Sequence, residues 1–278
     1  MRAFIGFSAL AGAMTLASAA SAAPSVDIRY AAARVTVIPE ARSDVQVFVA
    51  KGNSQLPLTV TRQGEQTVIE GNLHMRPTGC HGAFGKQQVF IFGIGNFAVD
   101  ALPQVVIHVP MDAHVSAGEA VWGNVGRTNS LDLHNAGCGD WTVAPVSGPL
   151  NVGVAGSGDV HANGAGWAEV HVSGSGDVSL GEVRGALTAS ISGSGDVNAA
   201  SINGPLEARI AGSGDVRVRG GRATTMRVHI AGSGDVTLKG PADSLDASIA
   251  GSGDVTVGPV SGSVVKHISG SGDVNVGR

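Results

Sequence analysis

The sequence predicts an all-β protein: a single-stranded parallel β-helix (solenoid) of about 19 residues per coil, preceded by an irregular β N-terminal region. Three observations predict it. The pentapeptide Gly-Ser-Gly-Asp-Val recurs seven times unchanged, beginning at Gly156, Gly174, Gly193, Gly212, Gly232, Gly251 and Gly270. The spacings are 18, 19, 19, 20, 19 and 19 residues, and an imperfect copy, Gly137-Cys138-Gly139-Asp140-Trp141, stands 19 residues before the first. Between the copies, apolar and polar residues alternate strictly, the period of a strand with one buried face.

Residues 1–22 read as a secretory signal peptide. Arg2 gives a positive start, Ala3 to Leu16 an apolar run, and Ala17 to Ala22 a small-residue cleavage region. The run is too short for a membrane span. No later stretch reads as a transmembrane helix. The chain is therefore expected to be exported: periplasmic, on the outer surface, or secreted. Cleavage removes Arg2 and takes the formal charge from -4 to about -5. So mild an acidity argues against nucleic acid as a partner.

Residues 23–110 read as the irregular N-terminal β region, capping or continuing the rod. Strands are expected at Arg34 to Ile38, Val45 to Val49, Leu58 to Val60, Thr67 to Glu70 and Val105 to Val109. A Gly-rich insertion from Gly71 to Gly85 holds Cys80. The only other cysteine is Cys138, and two cysteines in an exported chain point to one disulfide.

Residues 111–278 read as the β-helix. Nine, seven and five residues before each corner Asp lie the inward columns, such as Leu187, Ala189 and Ile191. A second short strand follows the Asp, and a third apolar position appears at Val146, Val183, Ile202 and Val260. Asn135 and Lys266 are the polar entries in the inward columns and are expected to mark the ends of the stack. The stretch Val115 to Glu119 reads as a decayed coil, with Glu119 in place of the corner Asp.

The signal peptide, the N-terminal strands ending in Val105-Val106-Ile107-His108-Val109-Pro110, and the iterated Gly-Ser-Gly-Asp-Val units together resemble the head GIN domain family of autotransporter adhesins. The resemblance covers nearly all of the mature chain. It implies a parallel β-helix and an envelope or surface location.

The corner motif reads first as structure. Glycines there permit positive φ, and Asp bonds nearby backbone amides. The rival reading is calcium, held by Asp159, Asp177, Asp196, Asp215, Asp235, Asp254 and Asp273, with Asp140 at the column's start. Carboxylates about 5 Å apart repel by about 0.8 kcal/mol in bulk water and several-fold more at an effective dielectric near 20. Something must offset that. Calcium-binding β-rolls use a different period and Asp offset, so no metal or other cofactor is assigned.

Basic residues concentrate at Arg209, Arg217, Arg219, Arg222 and Arg227; their offsets place them on at least two faces, and they are the candidate patch for an anionic glycan or lipid headgroup. His134, His171, His229 and His267 fall in one outward column and read as solvated. Trp122, Trp141 and Trp167 read as plugging the core's N-terminal end. No unique catalytic constellation breaks the repeat, and the corner Ser lacks a nucleophile-elbow context. The functional expectation is a non-catalytic exported module, adhesin-like or an envelope scaffold, whose partner is a cell-surface glycan or envelope protein. The alternatives are a carbohydrate-active β-helix enzyme and a calcium-binding repeat protein.

Overall fold

The structure, a computed structural model, describes residues 23–74, 78–81 and 87–277. The expected signal peptide and parts of the Gly-rich insertion lie outside the described residues. Among those residues every regular element is a strand, apart from one 3-10 turn at Val99–Ala101.

Each coil contributes two strands, and equivalent strands of successive coils pair in parallel. One ladder runs through Ser130–Asn135, Pro149–Val154, Trp167–Val172 and Leu187–Ile191, in register at every step, and on to Val264–Gly270. The other runs from Trp141–Val143 to Val274–Val276. The inward columns are the expected ones: Leu187, Ala189 and Ile191 are buried, as are Val146, Val183 and Ile202 on the third side. One continuous apolar core fills the rod, because no coil can bury its aliphatic side chains except against its neighbours.

The N-terminal region joins the same ladders. It comprises β1 (Ser25–Arg29), β2 (Ala32–Glu40), β3 (Gln46–Lys51), β4 (Thr59–Gln63), β5 (Gln66–Glu70), β6 (Thr78–His81), β7 (Gln88–Ile91), β8 (Gly95–Ala98), β9 (Gln104–Pro110), β10 (Asp112–Ala117) and β11 (Ala120–Val125). In the first ladder β1 lies between β5 and β10, and β10 leads into Ser130–Asn135. In the second, β2 lies between β9 and β11. The chain thus lays down β1 and β2, adds β5 and β9 beneath them, and then resumes above them with β10. The antiparallel strands β3 and β4 close the N-terminal ends of the two ladders. Strands β6 to β8 form a separate antiparallel sheet.

The two expected end markers fare differently. Asn135 does not end the stack, since β10, β1 and β5 continue the ladder below it. It is buried because its amide serves the first corner: Nδ2 donates to the Gly139 carbonyl at 2.9 Å, and Oδ1 accepts the Gly137 N–H at 3.4 Å. Lys266 lies in the last strand of the first ladder among the described residues. Val264 and Ile268 beside it are 39% and 43% exposed, and its ammonium donates to the Val274 carbonyl at 2.6 Å. The charge therefore lies across the outermost described layer of the core, where a Lys disfavours edge-to-edge pairing.

Candidate functional site

The corner explains the invariance of the pentapeptide, by a different route from the expected one. Among its glycines only Gly251 and Gly270 have positive φ, at 147° and 145°. The requirement is close approach. A Cβ on Gly193 would lie 2.1 Å from the Gly174 carbonyl oxygen, and one on Gly195 would lie 2.2 Å from that of Gly176. The Ser amide donates to the carbonyl of the first Gly one coil back, and in the first three pentapeptide copies the second-Gly amide does too, as Ser194 and Gly195 do to Gly174 at 3.1 and 3.3 Å. The Ser amides are thus spent between coils.

The corner Asp also acts between coils. Oδ1 of each accepts the backbone N–H of the Asp one coil later: Asp140 from Asp159 at 3.0 Å, and Asp159, Asp177 and Asp196 each from the next at 2.8 Å. The pattern continues to Asp273. These amides offset part of the repulsion along the column. Asp159 is still held above the usual carboxylate range, first by burial and then by Asp140 and Asp177. Among the described residues no group of three or more His, Cys, Asp or Glu could hold a metal ion.

The column is bounded below by an aromatic residue. In register with Asp140, one coil earlier, stands Trp122 rather than Glu119. Glu119 aligns instead with the first corner glycine. It has positive φ, 56°, and accepts the Tyr30 N–H on Oε2 at 2.6 Å. Over Trp122 lies the sheet of β6 to β8, fastened to the rod by a Cys80–Cys138 disulfide. Gln87 bridges the two parts: the Trp122 indole N–H donates to its Oε1 at 3.0 Å, and its Nε2 donates to Asp140 Oδ2 at 2.6 Å. The result is a groove of about 790 Å³ between the insertion and the rod. It runs along Asp140, Asp159 and Asp177, with Trp122 and Trp141 in its wall and His81, His161 and Ser179 beside them.

This repeat architecture has a family match. Residues 106–202 and 198–277 match the family described as "Putative auto-transporter adhesin, head GIN domain". The chain belongs to that family. The expected resemblance is thereby confirmed, over most of the chain. No curated protein matches. Among solved structures, a putative cell adhesion protein from Clostridium sporogenes is similar at 7% identity, with 92% of this chain and 93% of that chain covered and a TM-score of 0.20. A superposition that loose carries no argument about function.

In this head GIN domain chain the five arginines do not share a face. Arg209 and Arg227 stand on the outward side of the first ladder, in the columns of Ser190 and Thr188. Arg217 stands on the second ladder, and Arg222 on the third side, in register with Asn203. Arg209 pairs with Glu207, Arg217 with Asp196 and Asp215, and Arg222 with Asp243. Arg219 follows the second ladder at its turn. The outward histidines are exposed, and His134 and His171 lie against Asp132 and Glu169. The three tryptophans are separated: Trp141 is buried in the core, Trp122 sits under the insertion, and Trp167 is 42% exposed. Sequence reasoning missed Trp122, Gln87 and His81 as groove residues. The signal for the groove was the lone cysteine in the insertion, paired to a corner of the rod.

Proposed function

We propose that this chain is a non-catalytic, exported, adhesin-like module that presents the faces of its rod to a cell-surface glycan or envelope protein. Family membership over residues 106–277 carries the reading. The corner chemistry agrees with it, since the repeated Asp spends an oxygen on holding coils together. The disulfide supports an oxidising location in the envelope or outside the cell. Among the described residues no helix is long and apolar enough to cross a membrane.

The carbohydrate-active reading has one observation in its favour. The groove holds neighbouring carboxylates of which one, Asp159, is pushed towards its protonated form. Purified mature protein should bind immobilised glycan or envelope extract on an array without cleaving it, with or without calcium. Depolymerisation of a polysaccharide that is abolished by Asp159→Asn would overturn the non-catalytic reading. Binding that requires calcium would favour the repeat column as a metal site.

A further inference from the structure

We propose that the groove takes an arginine side chain of a basic peptide segment, its guanidinium held between the outer carboxylate oxygens of Asp159 and Asp177. The proposal goes beyond the adhesin-like reading and does not depend on it.

The column of corner carboxylates shows the binding mode. Every Oδ1 from Asp140 to Asp254 is occupied by an amide of the next coil, which leaves Oδ2 facing outward. At Asp140 that oxygen takes the Gln87 amide. At Asp196 and Asp215 both outer oxygens are taken by one guanidinium, that of Arg217, whose Nη1 donates to Asp196 at 2.7 Å and whose Nη2 donates to Asp215. Between these two occupied stretches, the outer oxygens of Asp159 and Asp177 have no protein partner among the described residues. They lie in the groove.

The register shows why. Arg217 stands in the column of Asn198, which stands in the column of Ser179. Ser179 therefore holds, beside Asp177 and Asp159, the position that Arg217 holds beside Asp215 and Asp196. A short hydroxyl there leaves open the space that the guanidinium fills two coils on. The groove also has an unused donor in its wall. Trp141 is 1% exposed, lines the groove, and its indole N–H has no hydrogen-bond partner among the described residues. The neighbouring Trp122 supplies a second indole, a ring type on which a guanidinium packs well.

A fork of donors suits this pair better than a metal ion. Successive coils stand about 4.8 Å apart. A calcium ion needs six to eight oxygens at about 2.3–2.6 Å, and one free oxygen per coil cannot supply them. A guanidinium reaches two carboxylates at once with hydrogen bonds of about 2.7–2.9 Å, as Arg217 does.

The test is fluorescence anisotropy of a labelled tetra-arginine peptide against the mature chain at low ionic strength. Wild type should bind, and tetralysine should bind more weakly. Ser179→Arg, which supplies the groove with its own guanidinium, should weaken binding at least tenfold. Asp159→Asn with Asp177→Asn should do the same while keeping the Oδ1 acceptors. Asp235→Asn with Asp254→Asn removes the same charge outside the groove and should change affinity less than twofold. Circular dichroism melts check that each variant folds, and the Asn pair serves if the Ser179 variant does not. The proposal is overturned by any one of four results. These are no wild-type binding, equal affinity for tetralysine, equal loss in the distant Asn pair, or displacement of the peptide by millimolar calcium at constant ionic strength.

Discussion

Replacing Gly195 by Ala separates two explanations of the corner. The new Cβ would stand 2.2 Å from the Gly176 carbonyl oxygen and 3.0 Å from its carbon. The nearest obstruction is backbone, with the Val172 Cγ1 also at 3.0 Å, so relief requires the two coils to part by about 1 Å, towards ordinary contact near 3.5 Å. That displacement strains the bonds from the Ser194 and Gly195 amides to Gly174, at 3.1 and 3.3 Å. Two such hydrogen bonds contribute about 0.5–1.5 kcal/mol each, and overpacking adds about 1–3 kcal/mol. The expected loss is about 2–6 kcal/mol, read as a lower urea midpoint by far-UV circular dichroism. Gly52→Ala is the matched control: a Cβ there meets nothing within 4 Å, and the midpoint should stay within about 0.5 kcal/mol of wild type. If left-handed backbone were the requirement, the cost would be about 1–2 kcal/mol and Asn at 195 would recover part of it. Recovery by Asn, or a wild-type midpoint for Gly195→Ala, would refute the close-approach explanation.

Three further outcomes follow from the same geometry. Asp159 is raised in the folded state, so the native protein holds that proton more tightly than the unfolded chain, and stability is lost as pH rises from about 3.8 through the folded value. Asp159→Asn should therefore raise the urea midpoint at pH 7 and leave it unchanged at pH 3; an equal gain at both would contradict this. Ile191→Ala should cost about 2–5 kcal/mol in a urea titration because the side chain is 1% exposed, whereas Ile268→Ala, at 43%, should cost well under half as much. Equal losses would mean that the last coil is covered. Replacing Cys80 and Cys138 by Ala should speed proteolysis within residues 78–98 and leave the rod's far-UV spectrum intact, since the bridge ties the insertion to one corner; loss of the rod spectrum would show that the insertion nucleates the stack.

The repeat made the rod legible. Inward columns such as Leu187, Ala189 and Ile191 follow from alternation alone, and a 19-residue step leaves only stacking to bury them. The N-terminal strands were legible as strands, because Thr67 to Glu70 and Val105 to Val109 are runs rich in β-branched residues. Their order was not. Nothing local tells β9 to lie below β2, or β10 to resume above β1, since those pairings depend on distant backbone. The corner glycines were legible as a constraint but not as to its kind, because φ and contact distance leave the same sequence mark. Glu119 misled for the same reason: an acid about one period before Asp140 copies the pattern, while the register places Trp122 there. The groove was least legible, since it joins an irregular insertion to the regular face.

The coil-to-coil carboxylate bond is tested most directly by native-state hydrogen exchange, residue by residue, in Asp196→Ala. That carboxylate accepts the Asp215 amide at 2.8 Å, while the Asp196 amide donates to Asp177. The expected result is directional: the Asp215 amide exchanges faster, by roughly tenfold or more for each 1.4 kcal/mol lost, and the Asp196 amide keeps its protection. Loss of protection at residue 196 itself, with Asp215 unchanged, would contradict a ladder running from each corner to the next.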